Sequence, residues 1–439
     1  MNKKQRLELA EWSVAQARKG GADDVAVNVG NSRDIEIQFR EGNLEKLQES
    51  TQNYLSLSIY ASMRYSSHST NDIRKESLKG FIEEAIDMTK YLNEDPFRSL
   101  PDPKYYKDQK EMDLKIKDID YDKVTSDSRV SMAREIEKIA MAQSDKIISC
   151  TSYYADNYYE SVKVHSNGFK GENEGTSFSA GVAVTVKDEK GRPQDYDWRT
   201  VRFHKELPAP EVYAKSAVQR TLNQIGQVKL KSGLYDMVIE NRENWRIFYS
   251  LLEPLTGQAL QQKNSFLEGK LGQKIASEKF TIIDDPFIQS GLSSILYDGE
   301  GMAARKRVIV DKGVLKSYYI DTYYGKKLGV EPTTGSPSNI MMDYGSKTLE
   351  EMIKGINKGI LVTSFVGGNS NSTTGDFSFG VIGQYIENGQ IIKPIHEMNI
   401  YGNFTDLLNQ LVEVGNDPYM FSSLRLPSLH FKDVQFSGI

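Results

Sequence analysis

Strict alternation of apolar with polar residues constrains this chain more than any other feature. Val25, Val27 and Val29, then Ile35, Ile37 and Phe39, then Leu55, Leu57 and Ile59 each repeat with period two, as strands with one buried face do. Glu41-Gly42-Asn43 lies between the second and third runs, so the runs are expected to fold back as antiparallel sheet. Strands are expected again over Ser161 to His165, Phe178 to Val186 and Trp198 to His204. Helical spacing separates these blocks. Leu7, Ala10, Val14 and Ala17 predict a first helix that stops at Gly20-Gly21, a usual C-terminal signal. Leu78, Phe81, Ile82, Ala85 and Met88 predict a second; others are expected over Ser126 to Gln143 and Glu211 to Asn223. Three prolines mark Asn93 to Tyr106 as a connector.

At 439 residues the chain exceeds one ordinary core. The polar, Gly-flanked stretch Gly226 to Gly233 is the best boundary. The expected organisation is α+β in two domains, 1–228 and 229–439, each with mostly antiparallel sheet and packed helices. The second half opens with a strand, Leu234 to Glu240. A long helix follows over Asn244 to Gln262, with Phe248, Leu251, Leu252, Leu255 and Ala259 as its apolar stripe. Strands are expected over Arg307 to Val310 and Val314 to Ile320, about the turn Asp311-Lys312-Gly313, and from Phe377 through Ile386 to Ile391.

Composition narrows the class. No apolar run approaches the roughly 20 residues that span a bilayer, and the basic start has helical spacing rather than a continuous apolar stretch, so neither a membrane nor a signal peptide is expected. One cysteine, Cys150, excludes an intrachain disulfide and suits a reducing, cytoplasmic compartment. The net charge is −5, and Lys and Arg are interspersed with acids, as in Lys104 to Lys123. Direct nucleic-acid binding, which needs a basic patch, is disfavoured.

The residues show no local catalytic apparatus. No Gly-rich loop ends in Lys and Ser or Thr, and no nucleophile elbow is present. Cys150 beside Ile147 and Ile148 reads as a small core residue. The five histidines, His68, His165, His204, His396 and His430, are scattered. His165 and His204 fall on polar strand faces, as solvated or hydrogen-bonded residues. His396-Glu397 opens like a zinc motif, but Ile400 and Tyr401 stand where it would close. His68 and His430 lack an acidic or thiol partner at ligand spacing and read as structural. Asp284-Asp285, and Asp298 with Glu300, read as turn formers, with a hard cation as the functional alternative.

Several segments of the second half resemble the TldD/PmbA family, also called the modulator of DNA gyrase family. They include Ser265-Phe-Leu-Glu-Gly-Lys-Leu-Gly272, Asp284-Asp285-Pro286, Asp298-Gly-Glu-Gly-Met302 with Arg305, and Gly313-Val-Leu-Lys316 with Asp321-Thr-Tyr323. Thr374-Gly-Asp-Phe-Ser378, Glu387-Asn-Gly389, Val414-Gly-Asn-Asp417 and Leu426-Pro-Ser-Leu429 follow in order, and Gly21-Ala-Asp23 and Ser166-Asn-Gly168 extend the similarity into the first half. Each motif is weak alone; their number and order are specific.

The resemblance implies a peptidase assembly in which one member carries H-E-x-x-x-H on a helix and a Cys near its C-terminus, together holding a zinc whose water attacks the peptide bond. The matching helix is Asn244 to Gln262, and the motif's histidines fall near Glu253 and Gln258, with Pro254 in place of its glutamate. No Cys follows Gly402. The departure resembles the non-catalytic branch. On an unbroken helix Glu253 and Gln258 lie about 140° apart and read as a polar pair rather than as ligands.

The Asn-rich turn Gly367 to Gly375 offers Asn369, Asn371, Ser372 and Thr373, either as an ordinary turn or as a peptide or subunit contact. The expectation is a subunit without catalytic or metal-binding residues of its own. Its partners would be a zinc-bearing TldD-like chain and unfolded peptide, and it would form a homodimer when isolated. An active peptidase with unusual ligands and a gyrase regulator are the alternatives.

Overall fold

The structure, a computed structural model, describes residues 1–189 and 191–439. Its first half is built on one antiparallel sheet. Helix α1 (Lys3–Lys19) leads into β1 (Asp24–Arg40), β2 (Asn43–Ala61) and β3 (Arg64–Thr70). Then come α2 (Lys75–Thr89), α3 (Ser126–Met141), β4 (Ile147–His165), β5 (Lys170–Val186), β6 (Gln194–Val201) and α4 (Pro210–Leu222). The strand order is β3-β2-β1-β4-β5-β6.

The two alternating runs that start at Val25 and Ile35 are the ends of one strand of 17 residues. Their shared parity keeps both sets on one face. Val25, Val27 and Val29 bury against α1 and α2, while Ile35, Ile37 and Phe39 bury in a second cluster with α3 and α4. One sheet face thus carries two helix pairs side by side. Details of the expected elements shift. Met88 is exposed and Ile86 takes its place in the core. The strand expected over Trp198 to His204 ends at Val201, leaving His204 in a single 3₁₀ turn.

The second half comprises β7 (Gly233–Ile239), α5 (Trp245–Leu252), α6 (Gly257–Gln261), β8 (Ile282–Asp284), β9 (Arg307–Asp311), β10 (Val314–Leu315) and α7 (Thr322–Leu328). It continues with β11 (Ile340–Met342), α8 (Leu349–Lys354), β12 (Lys358–Ser370), β13 (Asp376–Glu387), β14 (Gln390–Asn403) and α9 (Phe404–Asn409). It ends with β15 (Leu411–Val414), β16 (Leu424–Arg425) and β17 (Leu429–Ser437). The order β14-β13-β12-β7-β17 closes on itself, because β14 also pairs with β17 through Asn399–Ser437 and Ile400–Phe436. The closing contact shields part of β14 and β17, and β15 pairs along the rest of β17 as the terminal strand. A smaller sheet, β10-β9-β8-β11-β16, packs into the same core. The strand expected over Val314 to Ile320 stops at Leu315, and Asp321 instead caps α7 by accepting from Tyr324 N.

Arg220 on α4 ties the halves together. Its Nη1 donates to both Glu240 carboxylate oxygens at 2.7 Å, Nη2 to the Thr363 carbonyl at 2.9 Å, and Nε to Asp195 at 3.3 Å.

Candidate functional site

The helix expected over Asn244 to Gln262 is broken, and the break makes a site. Along α5, Ile247, Phe248 and Leu251 are buried, while Trp245, Tyr249 and Glu253 follow at four-residue spacing on the outer face, all exposed. Trp245 and Tyr249 meet edge to face at 6.0 Å. Pro254 brings no N–H and ends the helix in one 3₁₀ turn, Glu253–Leu255. Thr256 is extended, and its hydroxyl caps α6 by accepting from Ala259 N at 3.2 Å. This resets the helical phase. Glu253 and Gln258, which an ideal helix would separate, therefore line one cavity of about 410 Å³.

The cavity is held by close backbone contacts. Gly257 N donates to the Tyr319 carbonyl at 2.7 Å, and a Cβ at Gly257 would lie 2.8 Å from that of Tyr324. Tyr319 forms part of the wall, and burial pushes its phenol well above the ordinary range. Gly335, Ser336 and Pro337 also line it.

The Asn-rich turn belongs to the same face. Ser265 Oγ donates to the Pro254 carbonyl at 2.6 Å, and Phe266 N donates to the Ser372 carbonyl at 2.9 Å. Arg246 on α5 reaches the carbonyls of Gly367 and Gly368. Gly368 sits in a bulge at φ +79°, where a Cβ would lie 2.1 Å from the Ser378 carbonyl oxygen. Asn371 Oδ1 accepts from Thr373 N at 2.9 Å and Thr374 N at 3.3 Å, so its acceptor shapes the hairpin. Asn369 pairs with Ser378 in the ladder, and Thr373 is exposed at the tip. Arg246, Trp245 and Tyr249 are the members of this face that sequence reasoning missed. Their signal was an aromatic pair at i, i+4 opposite the apolar stripe.

A zinc ion does not fit the donors present. The described lining of the cavity includes one carboxylate, Glu253, with amides from Gln258, Gln262 and Asn264 but neither His nor Cys. No group of three or more His, Cys, Asp or Glu with metal-holding geometry occurs among the described residues.

The histidines and paired acids have other roles. His165 is buried, its Nδ1 3.1 Å from the Tyr106 hydroxyl, and burial pulls its pKa down to about 3. His430, read as structural because no acid stands at ligand spacing, lies 3.2 Å from Asp236, which is 194 residues away in sequence. His68 lies 2.8 Å from Ser66 Oγ, and His396 lies within β14. Asp298 does form a turn, accepting from Glu300 N and Met302 N. Asp284 instead ends β8, buried, and accepts from Ser338 N at 3.0 Å. Cys150 is buried, and its thiol is pushed up to about 12.

Comparison with known proteins places the chain in a family. Residues 232–438 match the PmbA/TldA metallopeptidase C-terminal domain, and residues 119–225 match the central domain. The chain is 27% identical over 438 residues to Metalloprotease PmbA of Escherichia coli O157:H7, covering 98% of this chain and 96% of that one. A crystal structure of a putative modulator of DNA gyrase from Bacteroides thetaiotaomicron is 40% identical, with a TM-score of 0.97 and full coverage of both chains. TldE from Thermococcus kodakarensis shares the fold, with a TM-score of 0.88 at 24% identity over 98% of this chain and 100% of that one. The chain belongs to the PmbA/TldD metallopeptidase family.

Proposed function

We propose that this chain is a non-catalytic subunit of a zinc metallopeptidase assembly of its family, working in the cytoplasm on unfolded peptides beside a TldD-like subunit that carries the metal. One observation carries the reading: the cavity at the broken α5–α6 helix offers Glu253 and Gln258 where the family motif has histidines. A catalytic zinc needs about three protein ligands and an open position for water. A single carboxylate and weakly ligating amides do not make that set.

The surroundings support a role in recognition. Trp245, Tyr249 and Tyr401 are exposed aromatics, a residue type that anchors interfaces, and Val366 on β12 is exposed as well. A partner subunit, or a second copy when the chain is alone, would cover them. The test is elemental analysis of the purified chain together with peptide cleavage measured alone and with a TldD-like partner. The proposal expects no stoichiometric metal and no cleavage by the chain alone. About one chelator-resistant metal per chain, with cleavage that Glu253→Ala abolishes, would instead establish a peptidase with unusual ligands.

A further inference from the structure

The long sheet keeps one bare edge. Strand β2 pairs with β1 from end to end, but β3 covers its other side only from Leu55, opposite Thr70, to Ala61, opposite Arg64. Residues 43–53 therefore have no strand on that side among the described residues, and all are exposed except the half-buried Ser50. The backbone N–H and C=O groups along such an edge are a template for one more strand.

This edge is held in place. Glu137 on α3 accepts from Gly42 N at 2.9 Å and fixes the β1–β2 turn. The charges that could guard the edge are engaged with the neighbouring strand. Lys46 pairs with Glu36, Glu49 with Arg33 at 2.7 Å, and Glu45 accepts from Gln38 at 2.7 Å. Leu47 and Leu44 stand opposite Ile37 and Phe39 and so share their face. Those two partners are buried in the cluster with α3, whereas Leu47 is 56% and Leu44 46% exposed. The apolar surface of that core thus runs on to the open edge.

The occupant follows from the limits and charges of the edge. The β1–β2 turn bounds it at one end and β3 at the other, and its middle is Gln48. An identical strand, antiparallel and centred there, fills the bare stretch, with the turn of each copy meeting the end of the other's β3. Gln48 then faces its own copy, Leu47 faces Glu49 and Lys46 faces Ser50, so no like charges stand opposite. Centring on Leu47 instead sets Glu45 against Glu49, and centring on Glu49 sets that carboxylate against itself, both unfavourable. With Gln48 at the centre, the two Leu47 side chains become diagonal neighbours on one face, about 7–8 Å apart.

We propose that the bare edge of β2 pairs with the same edge of a second copy of this chain, antiparallel about Gln48, joining the two long sheets across a two-fold axis. The inference stands on the first half of the chain and does not rest on the metallopeptidase reading.

The test is sedimentation and cross-linking of the full-length chain. The parent should be a dimer at about 50 µM. Gln48→Lys sets two ammonium groups face to face and should weaken dimerisation at least about tenfold. Gln48→Cys brings two thiols together on backbones about 4.5–5.5 Å apart at Cα, within disulfide range, so mild oxidation should give a covalent dimer. Ser50→Cys, about 13 Å from its copy along the strand, should not link. The native Cys150 is buried. A monomer at about 50 µM, a dimer untouched by Gln48→Lys, or linkage through Ser50→Cys as ready as through Gln48→Cys would each overturn the proposal. Neither zinc nor a TldD-like partner enters the test, so its failure is distinct from failure of the metallopeptidase assembly.

Discussion

Arg246 Nη2 donates to the Gly368 carbonyl at 2.8 Å and to that of Gly367 at 2.9 Å, fastening the outer face of α5 to the bulge that begins the Asn-rich hairpin. The guanidinium also lies 4.6 Å from the Phe379 ring centre. Helix α5 and the hairpin across from it are therefore joined through one side chain.

Removing this tie should loosen the hairpin selectively. Arg246→Ala is expected to cost about 1.5–3 kcal/mol, the range for hydrogen bonds involving a charged group. Amide exchange over 367–375 should quicken while exchange in β1 and β4 stays unchanged. Uniform acceleration across both halves would show instead that Arg246 supports the whole fold.

The junction between the halves should depend on Arg220 more than on surface ion pairs. Arg220→Ala removes the cation that pairs with both Glu240 and Asp195. Breaking one side of a buried pair costs about 3–5 kcal/mol. Adding Glu240→Leu should recover part of that loss. The check is urea unfolding followed separately through Trp198 of the first half and Trp245 of the second, and a loss below about 1 kcal/mol would place the pair among exposed bridges.

The periodicities made much of this legible. The strand ends around Val25, Ile35 and Leu55, and the helices α1, α2, α3 and α4, follow from local spacing that burial then enforces. What escaped was non-local. Nothing near His430 announces Asp236, and nothing in β17 announces the pairing of Phe436 with Ile400 that closes the barrel. The break in the 244–262 helix was visible in Pro254, but its apolar stripe continues across the break. Pattern alone therefore could not show that Thr256 resets the phase and turns Gln258 toward Glu253.

Glu300 should make stability fall as pH rises. Burial, reinforced by Asp298 and opposed by hydrogen bonds from Thr322, pushes its carboxyl up to about 7. The folded state then binds the proton more tightly than the unfolded state, whose pKa is near 4.5. The stabilisation is complete below about 4.5 and is lost as pH climbs through about 7. Glu300→Gln keeps an acceptor for Thr322 without the charge. Its Tm relative to the parent should rise between pH 4.5 and 8, and a difference that is flat across that window would contradict the assignment.

On the proposed function this chain shapes a peptidase site without supplying the reactive metal. The direct measurement is cleavage of a fluorogenic unfolded peptide by this chain, by a TldD-like partner and by the mixture, each with and without chelator. Amide hydrolysis at neutral pH needs an activated water and stabilisation of the developing oxyanion. The expected result is no cleavage by this chain alone and chelator-sensitive cleavage by the mixture above that of the partner. Chelator-sensitive cleavage by this chain alone, abolished by Glu253→Ala, would contradict it.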